Sequence, residues 1–288
     1  MREASAQGIA SAFITACLDE LEAPKPGNVH RYADGHRMTA QDFVRSAEAA
    51  APALTAASAP VGARILGAVE ASLALVGTNT NLGIILLCAP LAAAAEMGEA
   101  DLQQALVAVL GGLDRQDAAR AFRAIAIAAP AGLGRSERHD VFAPAEVTLR
   151  DAMEEAAGRD RIARQYVTDF ADVFGVGLAR FDAALATTSD RRRSTLLTYL
   201  KFLTSFPDSH ILRKYGPDIA ERVRRRAAEW EAGAESDADW ELLLPKLLQW
   251  DSELKEAGIN PGTSADLTVA TLFVDRLRSV LPGARNSD

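Results

Sequence analysis

The residues best suited to chemistry lie in five short segments that are rich in Gly, Pro, Asn, His and Asp. All four histidines of the chain fall in these segments, and none lies on an apolar helical face: they are His30, His36, His139 and His210. Polar clusters between helices are where a helical protein usually builds a binding site. The tight His/Cys spacing of a zinc site does not occur.

The first segment contains Lys25 between two prolines, followed by Gly27, Asn28, His30 and His36. The prolines fix the backbone on either side of the lysine, and the glycine permits a conformation closed to other residues. A lysine held in this way suits contact with phosphate or carboxylate. Pro and Gly also end helices routinely, so a plain helix terminator explains the same residues equally well.

The second segment contains Asn79, Thr80, Asn81 and Gly83, at the start of the most apolar helical stretch. Asn and Thr can cap a helix, and the N–H groups at a helix N-terminus bind anions. Two Asn amides exceed what one cap requires, so we take these residues as substrate-binding candidates. The Walker pattern of a phosphate-binding loop is absent from the chain.

The third segment contains the pair His139 and Asp140. Such a pair in a helical protein raises the hypothesis of a metal-dependent phosphohydrolase, in which His and Asp residues on helices bind metal. Glycines precede this pair and Phe142-Ala143-Pro144 follows it, so the sequence predicts a loop instead. Ordinary loop polarity is the alternative interpretation.

The fourth segment contains Asp208, His210, Arg213 and Lys214. These side chains could hold a metal-bound polyphosphate, with the carboxylate on Mg²⁺ and the cations on phosphate oxygens. The alternative is an ordinary helix cap at Asp208, with basic residues near the helix C-terminus.

The fifth segment contains Gly262, Thr263, Ser264 and Asp266. We expect Thr263 or Ser264 to cap the following helix, whose apolar face Asp266 shares. An unpaired carboxylate facing a core costs several kcal/mol, so this one needs a metal, a cation or a donor. An Asp stabilised by the helix dipole is the simpler alternative.

The elements that must position these segments are helices. Apolar residues recur every three or four positions, and the strict alternation of a strand is nowhere sustained. Many stretches are apolar on more than one side, which predicts buried central helices within one all-α domain spanning 1–288. The predicted helices cover 9–21, 39–57, 62–76, 82–98, 101–112, 115–129, 159–174, 176–188, 192–205, 217–232, 239–256 and 264–280.

Composition excludes several classes of protein. The chain has 288 residues, 49% of them hydrophobic and 24% charged, with a net charge of -8. An acidic chain is a poor general binder of nucleic acid. Two cysteines suit a reducing compartment, and the longest apolar run, 82–95, is too short for a bilayer of ~30 Å. We therefore expect a cytoplasmic protein with neither a nucleic-acid nor a membrane partner; a homodimer is one assembly that an Ala-rich surface allows.

Four motifs, in this order and at this spacing, resemble the triphosphoribosyl-dephospho-coenzyme A synthase family over nearly the whole chain. They are Lys25-Pro26-Gly27, Asn79-Thr80-Asn81-Leu82-Gly83, Asp208-Ser209-His210 and Pro261-Gly262-Thr263-Ser264-Ala265-Asp266-Leu267. The resemblance implies an all-α cytosolic transferase. Its members cleave the N-glycosidic bond of ATP, release adenine and transfer the triphosphoribosyl group to a ribose hydroxyl of dephospho-coenzyme A.

The chain departs from the family in one motif. Synthases proper carry Asn-Thr-His-Lys-Gly at the second motif, so Leu82 stands in place of a basic residue. The segments around His139 and Asp208 look more like a branch associated with tetrahydromethanopterin and methanofuran gene sets. The alternatives are therefore a related cofactor precursor as acceptor, a nucleotide-dependent enzyme of one-carbon cofactor biosynthesis, a phosphohydrolase, or a helical binding protein descended from an enzyme.

The resemblance and the loops together imply a role for each group of candidates. Mg²⁺ on the triphosphate is expected to be held by Asp140, Asp208 and Asp266. Phosphate oxygens are expected to be neutralised by Lys25, Arg213 and Lys214. The ribose or base is expected to be oriented by Asn79 and Asn81. The general base is expected to be His139 or His210, because a histidine titrates near the working pH, and Asp266 is expected to be essential for turnover.

Overall fold

A computed structural model of the chain describes residues 5–130, 134, 138–235 and 240–281. These residues form fourteen α-helices and no strand, which confirms the all-α prediction. The helices are α1 (Ala6–Glu22), α2 (Ala40–Leu54), α3 (Val61–Val76), α4 (Leu82–Glu96), α5 (Leu102–Gly111), α6 (Arg115–Ala128), α7 (Leu149–Ala156), α8 (Arg161–Val167), α9 (Ala179–Thr188), α10 (Arg191–Ser205), α11 (Ser209–Tyr215), α12 (Pro217–Glu235), α13 (Trp240–Glu256) and α14 (Gly262–Arg278). A π-helical turn, Asp172–Leu178, lies between α8 and α9.

The chain divides into two compact units. Unit 1 comprises the described parts of Met1–Cys17, Asp42–Ala171 and Phe273–Asp288. Unit 2 comprises the described parts of Leu18–Gln41 and Asp172–Leu272. Within the described part of the chain, every helix is too short or too polar to cross a lipid bilayer.

Unit 1 is built around α4. This helix is buried on nearly all sides, as its uniformly apolar sequence predicts, and it packs against α3, α5 and α8. Helix α6 packs against α3. At that contact the backbone N–H of Gly62 donates to the Asp117 carboxylate at 2.7 Å. Asp114 and Asp117 form the reciprocal cap that begins α6.

Unit 2 is built around α10, which packs against α9, α12 and the π-helical turn. Its core contains buried aliphatic and aromatic side chains from α10 to α13, including Tyr199, Leu200, Leu247 and Trp250. The indole rings of Trp230 and Trp250 stack with their centroids 5.9 Å apart. This packing fixes the ends of α10, α11 and α13, and with them the loops described below.

One helix prediction is wrong, and one further helix was not predicted. The predicted helix 159–174 is interrupted, because α8 ends at Val167 and Asp169 and Phe170 adopt left-handed backbone angles before the π-helical turn. Helix α7 was not predicted, because eight residues are too few for a clear period. Its start is nonetheless marked by a cap in which Thr148 and Asp151 bind each other's backbone N–H groups.

Candidate active site

Lys25 is completely buried at the start of the loop that follows α1. Its ammonium group pairs with Glu20 and donates to Asn28 Oδ1 and to the carbonyl oxygen of Val29, both at 2.9 Å. Burial lowers the pKa of Lys25 and raises the pKa of Glu20, and their mutual attraction opposes both shifts. All three N–H groups of the ammonium are thus used inside unit 2, where they hold the loop in shape.

Asp251 of α13 binds this loop from the opposite end of the sequence. Its Oδ1 accepts a hydrogen bond from the backbone N–H of Gly27, and its Oδ2 accepts one from Lys255 Nζ, both at 2.8 Å. His30 is buried with Nε2 3.3 Å from Asp251 Oδ2, and Lys255 also donates to the carbonyl oxygen of Ala33 at 2.9 Å. Burial acts to raise the pKa of Asp251, but the contacts with His30 and Lys255 outweigh it, and the pKa is lowered.

Gly27 brings the first predicted segment against the fifth. Its φ is +82°, and a Cβ atom there would lie 2.8 Å from Pro261 Cδ and 3.0 Å from the carbonyl oxygen of Ile259. The Asn28 amide donates to Asn260 Oδ1 at 2.8 Å, so two loops far apart in sequence share a hydrogen bond. Only glycine fits this approach without displacing the backbone.

Asp208 joins the fourth segment to the fifth. It is completely buried, and its Oδ1 accepts the backbone N–H groups of His210 and Ile211 at 2.9 and 3.2 Å. Its Oδ2 accepts both the N–H and the hydroxyl of Ser264 at 2.8 Å. Burial raises the pKa of Asp208, although these four hydrogen bonds act to lower it.

This arrangement corrects one prediction about the fifth segment. We expected Thr263 or Ser264 to cap α14, but the helix already begins at Gly262. The backbone N–H of Ser264, in the first turn of α14, instead donates to the Asp208 carboxylate of the fourth segment. Thr263 Oγ1 lies 3.2 Å from the backbone nitrogen of His210 and accepts its N–H.

Two histidines lie near each other and near the basic end of α11. A Cβ atom on Gly262 would lie only 2.7 Å from His210 Nδ1, so that ring packs on the start of α14. The pKa of His210 is lowered to about 4. Burial is the largest cause, and the nearby charges of Arg213, Lys214 and His36 act in the same direction. Burial also lowers the pKa of His36, whose Nε2 lies 2.8 Å from the carbonyl oxygen of Gly27. Both imidazoles are therefore neutral at neutral pH.

Asp266 and the two cations of α11 complete this group. Asp266 is half-buried rather than fully buried, and its charge acts to raise the pKa of Lys25. Arg213 is half-buried, whereas Lys214 is exposed with Nζ 3.4 Å from the carbonyl oxygen of Gly258. Three of the five predicted segments thus meet inside unit 2, where neutral imidazoles, cations and carboxylates lie together.

The second segment belongs to unit 1 and shows the expected helix start. Asn79 Oδ1 accepts the backbone N–H of Leu82 at 3.1 Å. The Asn81 amide donates to Ser72 Oγ at 3.2 Å, and Thr80 shares a hydrogen bond of 2.6 Å with Ser46. Gly83, the last predicted residue of this segment, lies within the first turn of α4.

The third segment also belongs to unit 1, and the pair His139 and Asp140 lies in a loop as predicted. Asp140 Oδ1 accepts the backbone N–H of Phe142 at 2.8 Å, and His139 has a φ of +51°. The part of this segment at 131–133 and 135–137 lies outside the described residues.

The three carboxylates predicted to bind metal are divided between the two units. Asp140 lies in unit 1, whereas Asp208 and Asp266 lie in unit 2. Among the residues that the structure describes, no group of three or more His, Cys, Asp or Glu side chains could hold a metal ion. Asp208 in particular has both oxygens occupied by four protein donors, which fill the lone pairs of a carboxylate.

Glu20, Asp251 and Lys255 were not among the residues predicted from the sequence. A signal for Asp251 exists, because it lies on the buried face of α13 between the core residues Leu247 and Leu254. Asp251 thus shares an apolar helical face in the same way as Asp266. Glu20 and Lys255 carry no such signal, because a charged residue near a helix end is usually exposed.

Comparison with known proteins identifies relatives across most of the chain. The family model described as ATP:dephospho-CoA triphosphoribosyl transferase matches residues 6–283. The crystal structure of a proposed triphosphoribosyl-dephospho-CoA synthase from Archaeoglobus fulgidus superimposes with a TM-score of 0.60 and 26% sequence identity. That alignment covers 81% of this chain and 96% of the other. No significant match is found among curated proteins.

Proposed function

The chain belongs to the ATP:dephospho-CoA triphosphoribosyl transferase family, and from that premise we propose that it cleaves the N-glycosidic bond of ATP, releases adenine and transfers the triphosphoribosyl group to a hydroxyl of dephospho-CoA. The observation that carries this proposal is the family match over residues 6–283, which contain all five predicted segments. No finding favours a phosphohydrolase or a different one-carbon cofactor reaction. We further propose that the enzyme acts in the cytoplasm on small-molecule substrates.

The charges in unit 2 support this chemistry. Transfer through a cationic, oxocarbenium-like sugar requires that the triphosphate be held, the departing base be stabilised and the acceptor hydroxyl be oriented. We assign the triphosphate to Arg213 and Lys214, which lie in the last turn of α11. Asp266 supplies negative charge to the sugar. His36 and His210 are the neutral imidazoles available to the hydroxyl.

Lys25 and Asp208 receive a different role from the one that the sequence suggested. The hydrogen bonds of both groups are used within the protein, so we assign them to holding the loop after α1 and the starts of α11 and α14. They position the candidate site without contacting phosphate. Gly27, Asn28, His30 and Gly262 belong to the same framework, because each packs against or binds a neighbouring loop.

The described residues do not fit a Mg²⁺ held by three protein carboxylates. Asp208 has no lone pair left for a metal, and Asp140 is not grouped with it. We therefore propose Mg²⁺ only as the counter-ion that accompanies the triphosphate of ATP, because Mg²⁺ in nucleotide sites commonly binds substrate phosphates and few protein groups.

The polar start of α4 in unit 1 remains a proposed contact for the ribose or base. Asn79, Thr80 and Asn81 each make a hydrogen bond within unit 1, so the contact would use their remaining amide and hydroxyl capacity. Leu82 offers no charge to phosphate. This difference from the family motif gives no support for triphosphate binding by this segment.

The test is product analysis with the full-length protein. Incubation with ATP, Mg²⁺ and dephospho-CoA is expected to yield adenine and an adduct heavier than dephospho-CoA by one triphosphoribosyl group, both seen by chromatography and mass spectrometry. Formation of ADP or AMP without adenine would contradict the proposal. Adenine release without the adduct would keep the donor and overturn the acceptor. A matched incubation without dephospho-CoA measures hydrolysis of ATP to free sugar.

A further inference from the structure

His36 is held in an unusual backbone conformation. His36 and Arg37 have φ values of +55° and +64°, in the left-handed region that few non-glycine residues adopt. They form the centre of a tight turn closed by a bridge between Gly35 and Met38. Backbone strain of this kind persists only where the surrounding structure enforces it, and it concentrates at functional sites.

The turn fixes the protonation of the His36 ring. Nε2 lies 2.8 Å from the carbonyl oxygen of Gly27, and a carbonyl oxygen only accepts hydrogen bonds. Nε2 must therefore carry a proton, so in the neutral ring the lone pair is on Nδ1. The described residues supply no hydrogen-bond partner to Nδ1, and the side chain is half-buried. A basic nitrogen is thereby left for a ligand.

The groups around His36 keep its ring neutral and favour an anionic substrate. Lys214 and His210 face it from α11, and Lys255 and Asp251 face it from α13. Burial is the largest cause that lowers the pKa of His36, followed among the charges by Lys214 and Lys255. The Gly27 carbonyl and Asp251 act in the opposite direction but do not reverse the shift.

We propose that His36 is the general base of the transfer reaction and that its Nδ1 takes the proton of the acceptor hydroxyl. This proposal rests on the proposed function. The hydroxyl oxygen forms a bond to C1′ of the ribose as the C1′–N9 bond breaks, and adenine leaves with that electron pair. The hydroxyl proton passes to Nδ1, and the imidazolium then gives it up to the departing adenine, so that the ring returns to its neutral form.

His210, the other candidate base in unit 2, fits this role less well. It packs its Nδ1 edge against Gly262, and burial with two nearby cations makes it a weak base. Of these two histidines, only His36 combines a tautomer fixed by a backbone carbonyl with an unoccupied ring nitrogen within the described part of unit 2. His139 belongs to unit 1.

The variant His36→Gln tests whether His36 acts as a base or only supports the loop through its contact with Gly27. Glutamine keeps an N–H that can reach the Gly27 carbonyl, but it has no basic nitrogen. We expect kcat for adenine release to fall about 10²–10⁴-fold, the usual loss for a general base, while KM for ATP changes less than about threefold.

His36→Asn is the second variant, because Asn adopts left-handed backbone angles readily and so protects the fold. Arg37→Gln is the matched control, because Arg37 shares the strained turn but is exposed.

The pH profile supplies a readout that a structural role does not change. In the wild type, kcat is expected to fall at acid pH because an imidazolium cannot accept a proton, with a midpoint below the ordinary histidine value of about 6.5. The residual activity of His36→Gln is expected to lack this acidic limb. Arg37→Gln is expected to keep both the rate and the limb.

The outcomes are distinguishable. A wild type that releases no adenine removes the proposed function and the base together. An active wild type with His36→Gln within about fivefold of its kcat, or with an unchanged acidic limb, overturns the base alone. If His36→Gln does not fold, a folded His36→Asn that retains kcat within the same limit overturns it equally.

Discussion

The carboxylate of Asp251 accepts the backbone N–H of Gly27 at 2.8 Å, although 224 positions separate the two residues in sequence. The same carboxylate faces His30 and binds Lys255, which itself donates to the carbonyl oxygen of Ala33. Asp251 and Lys255 together therefore connect α13 to three points of the loop after α1. His36 belongs to the same loop, and its Nε2 donates a hydrogen bond to the carbonyl oxygen of Gly27. The geometry of the candidate base therefore depends on a residue that does not touch it.

Asp251→Ala should destabilise the protein strongly. It removes the acceptor for Gly27 N–H and leaves Lys255 without its carboxylate in a largely buried position, so we expect a loss of about 3–4 kcal/mol in the free energy of unfolding. Urea denaturation measures it. Ser252→Ala is the control, because Ser252 is the exposed neighbour and should change stability by less than about 0.5 kcal/mol. A loss below about 1 kcal/mol for Asp251→Ala would refute the assignment.

Lys25 and Glu20 should behave as one buried pair. Lys25→Met leaves the Glu20 carboxylate without a partner and should cost about 3–5 kcal/mol in the free energy of unfolding. Adding Glu20→Gln removes the stranded charge, so the double variant should be more stable than Lys25→Met alone. The double-mutant cycle is measured by denaturation. Additive losses would speak against the pair, and a KM for ATP raised more than tenfold in a folded variant would restore Lys25 to the phosphate site.

His30 should make stability depend on pH. Burial is the main cause that lowers its pKa in the folded state, so between that pKa and the unfolded value of about 6.5 the unfolded chain binds more protons. The free energy of unfolding should therefore fall as pH drops below about 6.5. His30→Gln should flatten this slope in denaturation series at several pH values. His139→Gln, a change in unit 1, is the comparison; an equal flattening in both variants, or none in His30→Gln, would be inconsistent with this prediction.

Asp266→Asn should abolish turnover and leave the fold intact. The amide is the same size as the carboxylate but supplies no negative charge to a cationic sugar, so kcat for adenine release should fall at least about 100-fold. The thermal midpoint should stay within a few degrees of that of the wild type. Full activity in this variant would remove Asp266 from the reaction.

Mg²⁺ should act only together with nucleotide. If it enters as the counter-ion of the triphosphate, millimolar MgCl₂ alone should leave the thermal midpoint unchanged, and Mg²⁺ with ATP should raise it, because a ligand of the native state stabilises that state. CaCl₂ alone provides the control for ionic strength. A rise caused by Mg²⁺ without nucleotide would indicate a metal site in the protein itself.

The helices could be predicted from the sequence because their cause is local. The apolar periods of α3, α4 and α6 place their ends within one or two residues of the observed bounds. Helix α7 could not be predicted, because eight residues are too few to show a clear apolar repeat. The break after Val167 could not be predicted either, because no Gly, Asn or Pro marks the left-handed backbone angles at Asp169 and Phe170. That the chain forms one domain stays a prediction.

The site was predictable in its residue types and less so in their roles. Lys25, Asp208 and His210 were singled out because their types suit chemistry, but their roles depend on how the chain folds. The ammonium of Lys25 is used by neighbours within five positions. Asp208 and the backbone N–H of His210 bind Ser264 and Thr263, which are 56 and 53 positions away. Asp208 receives two of its four donors from Ser264. The spacing of residues in the sequence does not show that all the acceptor positions of a carboxylate will be filled by protein donors. The role of Asp208 in capping α11 and α14 is therefore visible only in the folded structure.

The distance along the chain between Gly27 and its partners also has a consequence for biosynthesis. Gly27 and Asp251 are 224 positions apart and Asn28 and Asn260 are 232 apart, so the ribosome makes the loop after α1 well before the residues that bind it. Because contacts of such high sequence separation form late and slowly, the loop can adopt its final shape only after those residues have been synthesised. Until then Gly27 and Asn28 lack the partners that hold them in the folded protein.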